Sequence, residues 1–291
     1  MKVCKLSDVG GVDVDGVDLA HPRDPEEQSA LRQLFDEQGL IVFRDQMLTK
    51  QQLVAVGDLF GGAMLKRAVI PTDPEAPGIS TITNRGPTGD VMPERLDELI
   101  GKADWHMDLG YVTTPGRGKI IYAVQTPEVG GLTGFIDLSV AYSTLPEALR
   151  ERIENLHVIQ SWDKAQVGQS NGPRGAGTLI LQEFPDVIYP MVLTHPVTGA
   201  KVLNCPPLWA TGILEAPGEE GLALMHEVIA HITRPQSQYW HRYRPGDAIL
   251  WDNCRFIHAA SGTLGLYART LWTLTLKAGP EFGRLADQQA A

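Results

Sequence analysis

The fold of this chain is decided by the stretch PGDAILWDNCRFIH, residues 245–258. A Pro-Gly-Asp turn opens the stretch, an apolar run typical of a buried strand follows, and His258 stands at the far end. A lone histidine in such a place is more often a hydrogen-bonded core residue than a ligand. The stretch alone therefore predicts a buried strand, and a chemical role for His258 depends on the rest of the sequence.

The segment that follows, residues 269–276, has the pattern of a second strand. Successive side chains of a strand point to opposite faces, so Arg269 and Thr273 share one face with Leu271 and Thr275. An arginine among such apolar neighbours needs an anion as its partner. We therefore expect Arg269 to bind an anion inside the fold.

Turn signals divide the remainder of the chain into short runs rich in Val, Ile, Leu, Tyr and Trp. Three helices are expected outside these strands. One is capped by Asp24 and ended by Gly39, one is capped by Thr49 and ended by Gly61, and one opens near Thr144. Many short strands with a few outer helices indicate a mainly β, α+β chain folded as a sandwich or jelly roll.

Composition excludes several classes of protein. The 291 residues are 43% hydrophobic and 21% charged, as in folded globular proteins. A net charge of -10 and a pI near 5.3 disfavour a protein that binds nucleic acid. No apolar run approaches the roughly 18 residues of a membrane span, and the first residues lack the apolar core of a signal peptide. We expect a cytoplasmic protein, with Cys4, Cys205 and Cys254 reduced and buried.

One domain is expected over residues 1–291, since no repeat or low-complexity tract divides the chain. Two stretches, 83–102 and 160–177, are rich in Gly, Pro, Asn and charged residues and are expected to be long loops. Loops of such length in a compact domain are usually lids or disordered segments. The first precedes the WHMD motif at 105–108, so we expect it to cover the substrate side of the site and to become ordered when substrate binds.

The WHMD motif places His106 two residues before Asp108. Residues i and i+2 share a face of a strand but diverge by about 200° on a helix, so only a strand or its end brings both side chains to one metal. Because the chain has 8 histidines and 35 acidic residues, about one such pair is expected by chance, and the pair alone is weak evidence. With His258 it would complete the two-histidine, one-carboxylate triad of non-haem Fe(II) oxygenases, which leaves three coordination positions open.

Several motifs occur in the order found in one known family: GVDL at 16–19, GLIVFRDQ at 39–46, WHMD at 105–108, GGLT at 130–133, THPVTG at 194–199 and the stretch 245–258. In these residues the chain resembles the taurine dioxygenase and 2,4-D dioxygenase family of Fe(II)/2-oxoglutarate-dependent oxygenases. The resemblance spans nearly the whole sequence. It implies a double-stranded β-helix, a cupin-like jelly roll with flanking helices.

The resemblance also implies the site. His106, Asp108 and His258 would hold Fe(II) and form the catalytic centre, with 2-oxoglutarate and O2 as co-substrates. Thr133 and Arg269 would bind the distal carboxylate of 2-oxoglutarate. The charges of Fe(II), Asp108, 2-oxoglutarate and Arg269 then balance, which suits a cavity poor in water.

Thr273 is a departure from the family pattern. Taurine-type members have at this position a second arginine that meets the anionic group of the substrate. The substrate of this chain then lacks a strong anion at that point, or Lys66, Arg67 or Arg85 contacts it. We expect taurine to be a poor substrate and the true one to be larger and more apolar.

Aromatic side chains near the motifs are candidates for an apolar substrate pocket, although core packing is an equal alternative for each. They are Trp105, Tyr111, Trp209 and Trp272. The remaining histidines are expected to be structural, at turns, near helices or on the surface: His157, His195, His226, His231 and His241. Asp252 and Asn253 are expected to hydrogen-bond the backbone around the last strands.

The expected reaction hydroxylates a small organic substrate and releases succinate and CO2. The same fold and triad could instead catalyse a desaturation, an epimerisation or another oxidation. From a different class, the chain could be a catalytically silent protein that binds 2-oxoglutarate or metal. Relatives are commonly dimers or tetramers, so a homo-oligomer is expected.

Overall fold

Two sheets form the centre of the molecule, a seven-stranded major sheet and a four-stranded minor sheet. The computed structural model describes residues 1–21, 24–65, 72–86, 89–162, 184–277, 279 and 281–286. Its strands are β1 (Lys2–Lys5), β2 (Val12–Asp15), β3 (Leu40–Phe43), β4 (Ile79–Thr83), β5 (Leu99–His106), β6 (Gly118–Gln125), β7 (Thr133–Asp137), β8 (His157–Gln160), β9 (Val187–Pro190), β10 (Val192–Thr194), β11 (Lys201–Leu203), β12 (Ala210–Ile213), β13 (Tyr239–His241), β14 (Ala248–Asp252), β15 (Phe256–Leu264), β16 (Thr270–Thr275) and β17 (Arg284–Leu285). Its helices are α1 (Pro25–Gln38), α2 (Lys50–Leu59), α3 (Leu138–Ser143), α4 (Glu147–Ile153) and α5 (Glu219–Ile232).

The strand order is that of a jelly roll. In the major sheet the order is β1-β2-β3-β14-β6-β16-β4, and in the minor sheet it is β13-β7-β15-β5. The chain passes from one sheet to the other between β4 and β5, β5 and β6, β6 and β7, β13 and β14, β14 and β15, and β15 and β16. These strands pair antiparallel within each sheet. The mainly β fold expected from the sequence is thus confirmed, with the 245–258 stretch supplying β14 and the start of β15.

The space between the sheets is filled by apolar side chains from both of them. The major sheet contributes Ile121, Ile249 and Trp251, and the minor sheet contributes Phe135 and Phe256. A second cluster lies between the major sheet and helices α1 and α2, and a third covers the other face of the minor sheet. The interior space at one end of the two sheets is where the polar site residues converge.

Helices α1 and α2 follow their sequence signals. The Asp24 side chain accepts a hydrogen bond from the Glu27 N–H at the start of α1, and Gly39 ends that helix with a positive φ of 67°. Thr49 and Gln52 form a capping box at the start of α2. These two predictions are confirmed.

The third helix differs from its prediction. A short helix, α3, is capped by Asp137, and Pro146 separates it from α4, which begins at Glu147 instead of near Thr144. The proline ring lacks an N–H and prevents one continuous helix. Helix α5 is additional to the three helices expected, although its buried residues Leu224 and Val228 have helical spacing.

Three other expectations also need correction or restriction. Cys4 is exposed, because β1 is an edge strand with all its side chains in solvent, whereas Cys205 and Cys254 are buried. Of the stretch 83–102, Thr83 belongs to β4, Pro93–Arg95 form a 3-10 turn and the last four residues belong to β5, while positions 87 and 88 lie outside the described residues. The stretch 160–177 lies outside the described residues from position 163 onward. Among the residues described, no helix has the length and apolar character needed to cross a membrane.

Candidate metal centre

His106 and His258 lie opposite each other on neighbouring strands of the minor sheet. They are paired in the register of β5 and β15, and their ring centroids are 4.1 Å apart. Strand β5 ends at His106, and Asp108 follows just beyond it, so the side chains converge at a strand end as the spacing predicted. Asp108 Oδ1 lies 3.7 Å from His106 Nε2 and 3.9 Å from His258 Nε2. One ligand atom from each of the three residues lies within 4.8 Å of the other two.

Asn253 fixes the backbone that carries Asp108. Its Oδ1 accepts from the Asp108 N–H at 2.8 Å, and its Nδ2 donates to the Asp108 carbonyl at 2.8 Å and to the Gly116 carbonyl at 3.1 Å. The next residue, Leu109, has a φ of 58°, a left-handed conformation that is uncommon outside glycine. The turn after β5 is therefore held in shape by a side chain from the far end of β14.

The environment of both histidines favours the neutral imidazole, the form that can donate to a metal. The carbonyl of Asp104 accepts from His106 Nδ1 at 2.6 Å, which leaves the Nε2 lone pair facing Asp108. Burial lowers the pKa of His106 and lowers that of His258 well below its usual range. Metal binding requires the deprotonated imidazole, so the low pKa values favour it.

Lys119 is a site residue that the sequence analysis missed. Its Nζ lies 2.5 Å from Asp108 Oδ2, and its side chain is 8% exposed. Burial opposes ionisation of Asp108, but the ammonium of Lys119 outweighs it and holds the pKa of that carboxyl well below its usual range. The available signal was a lysine inside the apolar run GKIIYA at 118–123, where a solvated side chain is not expected.

A second cluster of polar side chains forms around Arg269. The residue is 7% exposed, its Nε has no hydrogen-bond partner, and among the described residues no carboxylate lies within ion-pairing distance. Burial lowers the pKa of its guanidinium. Asn84 Oδ1 accepts from the Arg269 backbone N–H at 2.9 Å and fixes the strand there. A buried guanidinium in this state is a site for an anion.

Thr133 lies on the same face of the minor sheet as His258. Phe135 is directly opposite His258 in the register, and Thr133 is two residues before it on β7. The Thr133 hydroxyl lies 2.9 Å from the hydroxyl of Tyr243, a buried residue in the loop between β13 and β14. Tyr243 is a further polar residue that the sequence analysis did not identify.

Four aromatic side chains form a cluster beside the metal centre. Trp209 lies edge-to-face with His106, at 6.0 Å between centroids, and its Nε1 donates to the Met107 carbonyl at 2.7 Å. Tyr111 contacts Trp209 at 5.1 Å, and the remaining members are Trp162 and Phe184. We call these four residues the aromatic cluster. Tyr111 was expected near the substrate, whereas Trp162 and Phe184 were not singled out.

The other candidates for substrate contact are placed differently. Trp105 is next to His106 on a strand and so points to the opposite face, where it packs edge-to-face with Trp240 at 5.3 Å. Trp272 likewise lies on the outer face of β16, against Tyr122. For Trp105 and Trp272 these contacts favour the alternative of core packing.

Thr273 faces the interior and is 2% exposed, and its Oγ1 has no hydrogen-bond partner among the described residues. Arg85 donates instead to the carbonyls of Gly265 and Leu266, at 3.1 and 3.3 Å. Lys66 and Arg67 lie outside the described residues.

The remaining histidines include two that are more buried than expected. His195 Nε2 lies 2.9 Å from Asp252 Oδ2, and His241 Nε2 lies 3.0 Å from Asp247 Oδ2. His241 lies in β13 and is 1% exposed, so its placement at a helix or on the surface is corrected. Asp252 also accepts from the Cys254 N–H, as the expected backbone contact requires.

Comparisons of sequence and of structure both find similar proteins over nearly the whole chain. The family model described as Taurine catabolism dioxygenase TauD, TfdA family matches residues 5–275. A (S)-phenoxypropionate/alpha-ketoglutarate-dioxygenase from Sphingobium herbicidovorans is 31% identical, with 96% of this chain and 95% of that protein covered. An alpha-ketoglutarate-dependent 2,4-dichlorophenoxyacetate dioxygenase from Cupriavidus pinatubonensis is 29% identical, with 84% and 86% covered. A solved taurine dioxygenase from Burkholderia xenovorans has the same fold, with a TM-score of 0.77, 24% identity and 99% and 94% of the two chains covered.

The donor set fits a divalent iron ion. Two imidazole nitrogens and one carboxylate oxygen converge, and both imidazoles are neutral. Three such ligands leave the other positions of an octahedral ion open for further groups. The arrangement can therefore hold a reactive metal and still admit a chelating co-substrate.

Proposed function

The chain belongs to the Taurine catabolism dioxygenase TauD, TfdA family, and we propose that it oxidises an organic acid with an apolar or aromatic body. It is an oxidoreductase, an Fe(II)- and 2-oxoglutarate-dependent dioxygenase that acts on a small organic substrate. In this proposal His106, Asp108 and His258 hold the iron. Thr133 and Arg269 hold the distal carboxylate of 2-oxoglutarate.

A single observation carries the assignment of the co-substrate pocket. Arg269 is a buried cation without a carboxylate partner among the described residues, and it faces the interior between the two sheets. A charge in that position is costly unless an anion pairs with it. The distal carboxylate of 2-oxoglutarate supplies that anion, and a guanidinium can bind it with two parallel hydrogen bonds.

When bound, Fe(II) and 2-oxoglutarate supply the oxidising chemistry, with 2-oxoglutarate decarboxylated to succinate. The protein supplies position and exclusion of water. Asp104 and Asn253 orient His106 and the Asp108 backbone, and the ammonium of Lys119 holds one oxygen of the Asp108 carboxylate. Arg269 and Thr133 would hold the far carboxylate of the co-substrate, and the iron on His106, Asp108 and His258 would bind its keto-acid end.

Two features support an acid with an aromatic or apolar body as substrate. The aromatic cluster offers apolar ring faces and edges beside His106. The charges of the iron, Asp108, 2-oxoglutarate and Arg269 sum to zero. The ammonium of Lys119 contributes one further positive charge to the site. The loaded site then retains one unit of positive charge, which a singly charged anion neutralises.

Thr273 bears on where the acid group of the substrate would bind. A sulfonate at Thr273 would be buried without a cation from that position, at a cost of several kcal/mol. The acid group is therefore assigned to another part of the site, and a small sulfonate such as taurine is disfavoured.

A substrate panel tests this proposal. We expect aryloxy carboxylic acids to give more substrate-dependent succinate than taurine or aliphatic sulfonates do, in assays with Fe(II), 2-oxoglutarate and O2. Mass spectrometry of the product distinguishes hydroxylation from desaturation or epimerisation. If taurine proved the best substrate of a broad panel, the reasoning from Thr273 would be wrong.

Three properties of the whole protein stay predictions as well: its location, its oligomeric state and its domain organisation. We propose a cytoplasmic homo-oligomer, a dimer or tetramer, composed of single-domain subunits over residues 1–291. Light scattering coupled to size-exclusion chromatography measures the mass in solution directly. A monomer at micromolar concentration would contradict the oligomer.

A further inference from the structure

We propose that Tyr243 is a third side chain of the pocket for the distal carboxylate of 2-oxoglutarate, acting as one unit with Thr133. This inference rests on the proposed function, in which Thr133 and Arg269 hold that carboxylate. Tyr243 is distant from Thr133 and Arg269 in the sequence, and it lies in no motif that the sequence analysis identified.

The contact that suggests this role is a buried pair of hydroxyl groups. The oxygens of Tyr243 and Thr133 are 2.9 Å apart, and the two residues are 6% and 2% exposed. Their strands explain the proximity, because Thr133 pairs with His241 in the register of β7 and β13, and Tyr243 is two residues further on. The pair lies on the face of the minor sheet that carries His258.

The number of protons in this pair leaves one donor for an anion. Each hydroxyl has one proton, and the bond between the two oxygens uses one of them. Whichever hydroxyl donates within the pair, the other retains a proton that can be directed at a third group. A carboxylate beside Thr133 would receive that proton as a hydrogen bond, and the pair would polarise it further as a short chain.

The ionisation state of the phenol suits a donor. Burial raises the pKa of Tyr243 to about 12, although the hydrogen bond with Thr133 and the nearby Arg269 charge lower it in part. The phenol therefore keeps its proton at neutral pH, so that it donates to an anion and does not repel it. Arg269 shares a face of its strand with Leu271, which packs in the same apolar cluster as Tyr243, so the guanidinium and the phenol face the same interior space.

The ring of Tyr243 is held in place by its neighbours. It lies edge-to-face with His241, at 5.0 Å between centroids, and His241 is anchored by Asp247 at 3.0 Å. Tyr243 also belongs to the apolar cluster between the two sheets, together with Leu271 and Phe135. A hydroxyl on so fixed a ring is preorganised for one ligand geometry.

The test compares two ligands that differ only in the group Tyr243 is proposed to bind. 2-Oxoglutarate has the distal carboxylate, whereas 2-oxopentanoate has the same chain length without it. Dissociation constants are measured on the full-length Mn(II)-loaded protein by calorimetry, with displacement for the weaker ligand. We expect Tyr243→Phe to raise the dissociation constant of 2-oxoglutarate by about tenfold. The dissociation constant of 2-oxopentanoate should change by less than about twofold.

Matched variants separate this role from a structural one. Tyr239→Phe removes a neighbouring phenol that contacts His241 Nδ1 and is expected to leave both constants unchanged. The two hydroxyls are proposed to act as one unit. The double variant Tyr243→Phe with Thr133→Val should therefore bind 2-oxoglutarate only slightly more weakly than Thr133→Val alone does. Melting temperatures of each variant show whether the fold is retained.

The outcomes also distinguish this inference from the proposed function. Arg269→Ala should abolish the preference for 2-oxoglutarate over 2-oxopentanoate, and if it does not, the proposed pocket itself is wrong. If Arg269→Ala acts as expected but Tyr243→Phe leaves the preference intact, only the role of Tyr243 is overturned. Equal weakening of both ligands by Tyr243→Phe would also overturn it, since the effect would then not depend on the carboxylate.

Discussion

Two buried side chains, Lys119 and Asn253, determine how the carboxylate of Asp108 is directed within the candidate metal centre. Lys119 contacts one carboxylate oxygen and leaves the other toward the two histidines. Asn253 holds the backbone of the same residue from both its N–H and its carbonyl. The position of the Asp108 carboxylate thus depends on Lys119 and Asn253, and replacing either residue should have a measurable effect.

Replacing Lys119 by Met should act in opposite ways on the metal-free and the metal-bound protein. Without the ammonium, the buried Asp108 carboxylate loses its cation, and the metal-free protein should lose about 3 kcal/mol of unfolding free energy. Mn(II) replaces that charge, so saturating Mn(II) should stabilise the variant more than the wild type. Denaturant unfolding with and without Mn(II) measures both quantities. Equal stabilisation of the two proteins by the metal would argue against this role of Lys119.

Asn253→Ala should weaken metal binding while the ligands themselves remain. The variant removes three hydrogen bonds that hold the turn at Asp108 and Gly116. Changes to residues that orient metal ligands typically cost about 10- to 100-fold in affinity. Calorimetry with Mn(II) is the measurement, and Asn204→Ala, at another buried asparagine, serves as a control. An unchanged Mn(II) affinity in Asn253→Ala would show that the turn keeps its shape unaided.

The turn that opens β14 depends on one buried carboxylate. Asp247 accepts hydrogen bonds from the Arg44 guanidinium at 2.9 Å, from the Arg244 N–H at 2.8 Å and from His241 at 3.0 Å. Burial opposes its ionisation, but His241, the Arg244 N–H and Arg44 outweigh it and lower its pKa. The element that decides the fold is therefore tied to β3 and β13 through an ionised aspartate.

The pH dependence of stability follows from that lowered pKa. The folded protein binds the Asp247 proton less tightly than the unfolded chain does, so the contribution is present above the unfolded pKa of about 3.9 and is lost as pH falls. Asp247→Asn should cost about 2 to 4 kcal/mol at pH 7, and the difference from the wild type should shrink below pH 4. Urea unfolding at several pH values measures it. A difference that stays constant between pH 7 and pH 3 would contradict the assignment.

At the scale of the whole molecule, the sequence predicted those features that depend on local pattern. Strand periodicity brought His106 and Asp108 together and put Arg269 on an interior face, and family motifs added His258 and Thr133. The helix after Thr144 was displaced because Pro146 interrupts it. Local signals are therefore reliable where one element is continuous and fail where a short break divides it.

The missed residues have a common physical reason. Lys119, Tyr243, Trp162 and Phe184 act through contacts between strands and loops far apart in the chain, and the strand pattern does not specify which side chains meet. Trp105 shows the reverse case, since it adjoins a metal ligand in sequence but faces Trp240 on the other side of the sheet. Which residues form this site depends on the register of the strands and on the sheet face to which each side chain points, as well as on the sequence motifs.

We expect His106, Asp108 and His258 to bind one metal ion together. The most direct measurement is a crystal structure of the Mn(II)-loaded protein with anomalous diffraction data, which locates the metal independently of any expectation. The account predicts one strong peak in contact with His106 Nε2, His258 Nε2 and an Asp108 carboxylate oxygen, at roughly 2.0 to 2.2 Å from each. A peak that lies elsewhere, or one that omits any of the three residues, would contradict it.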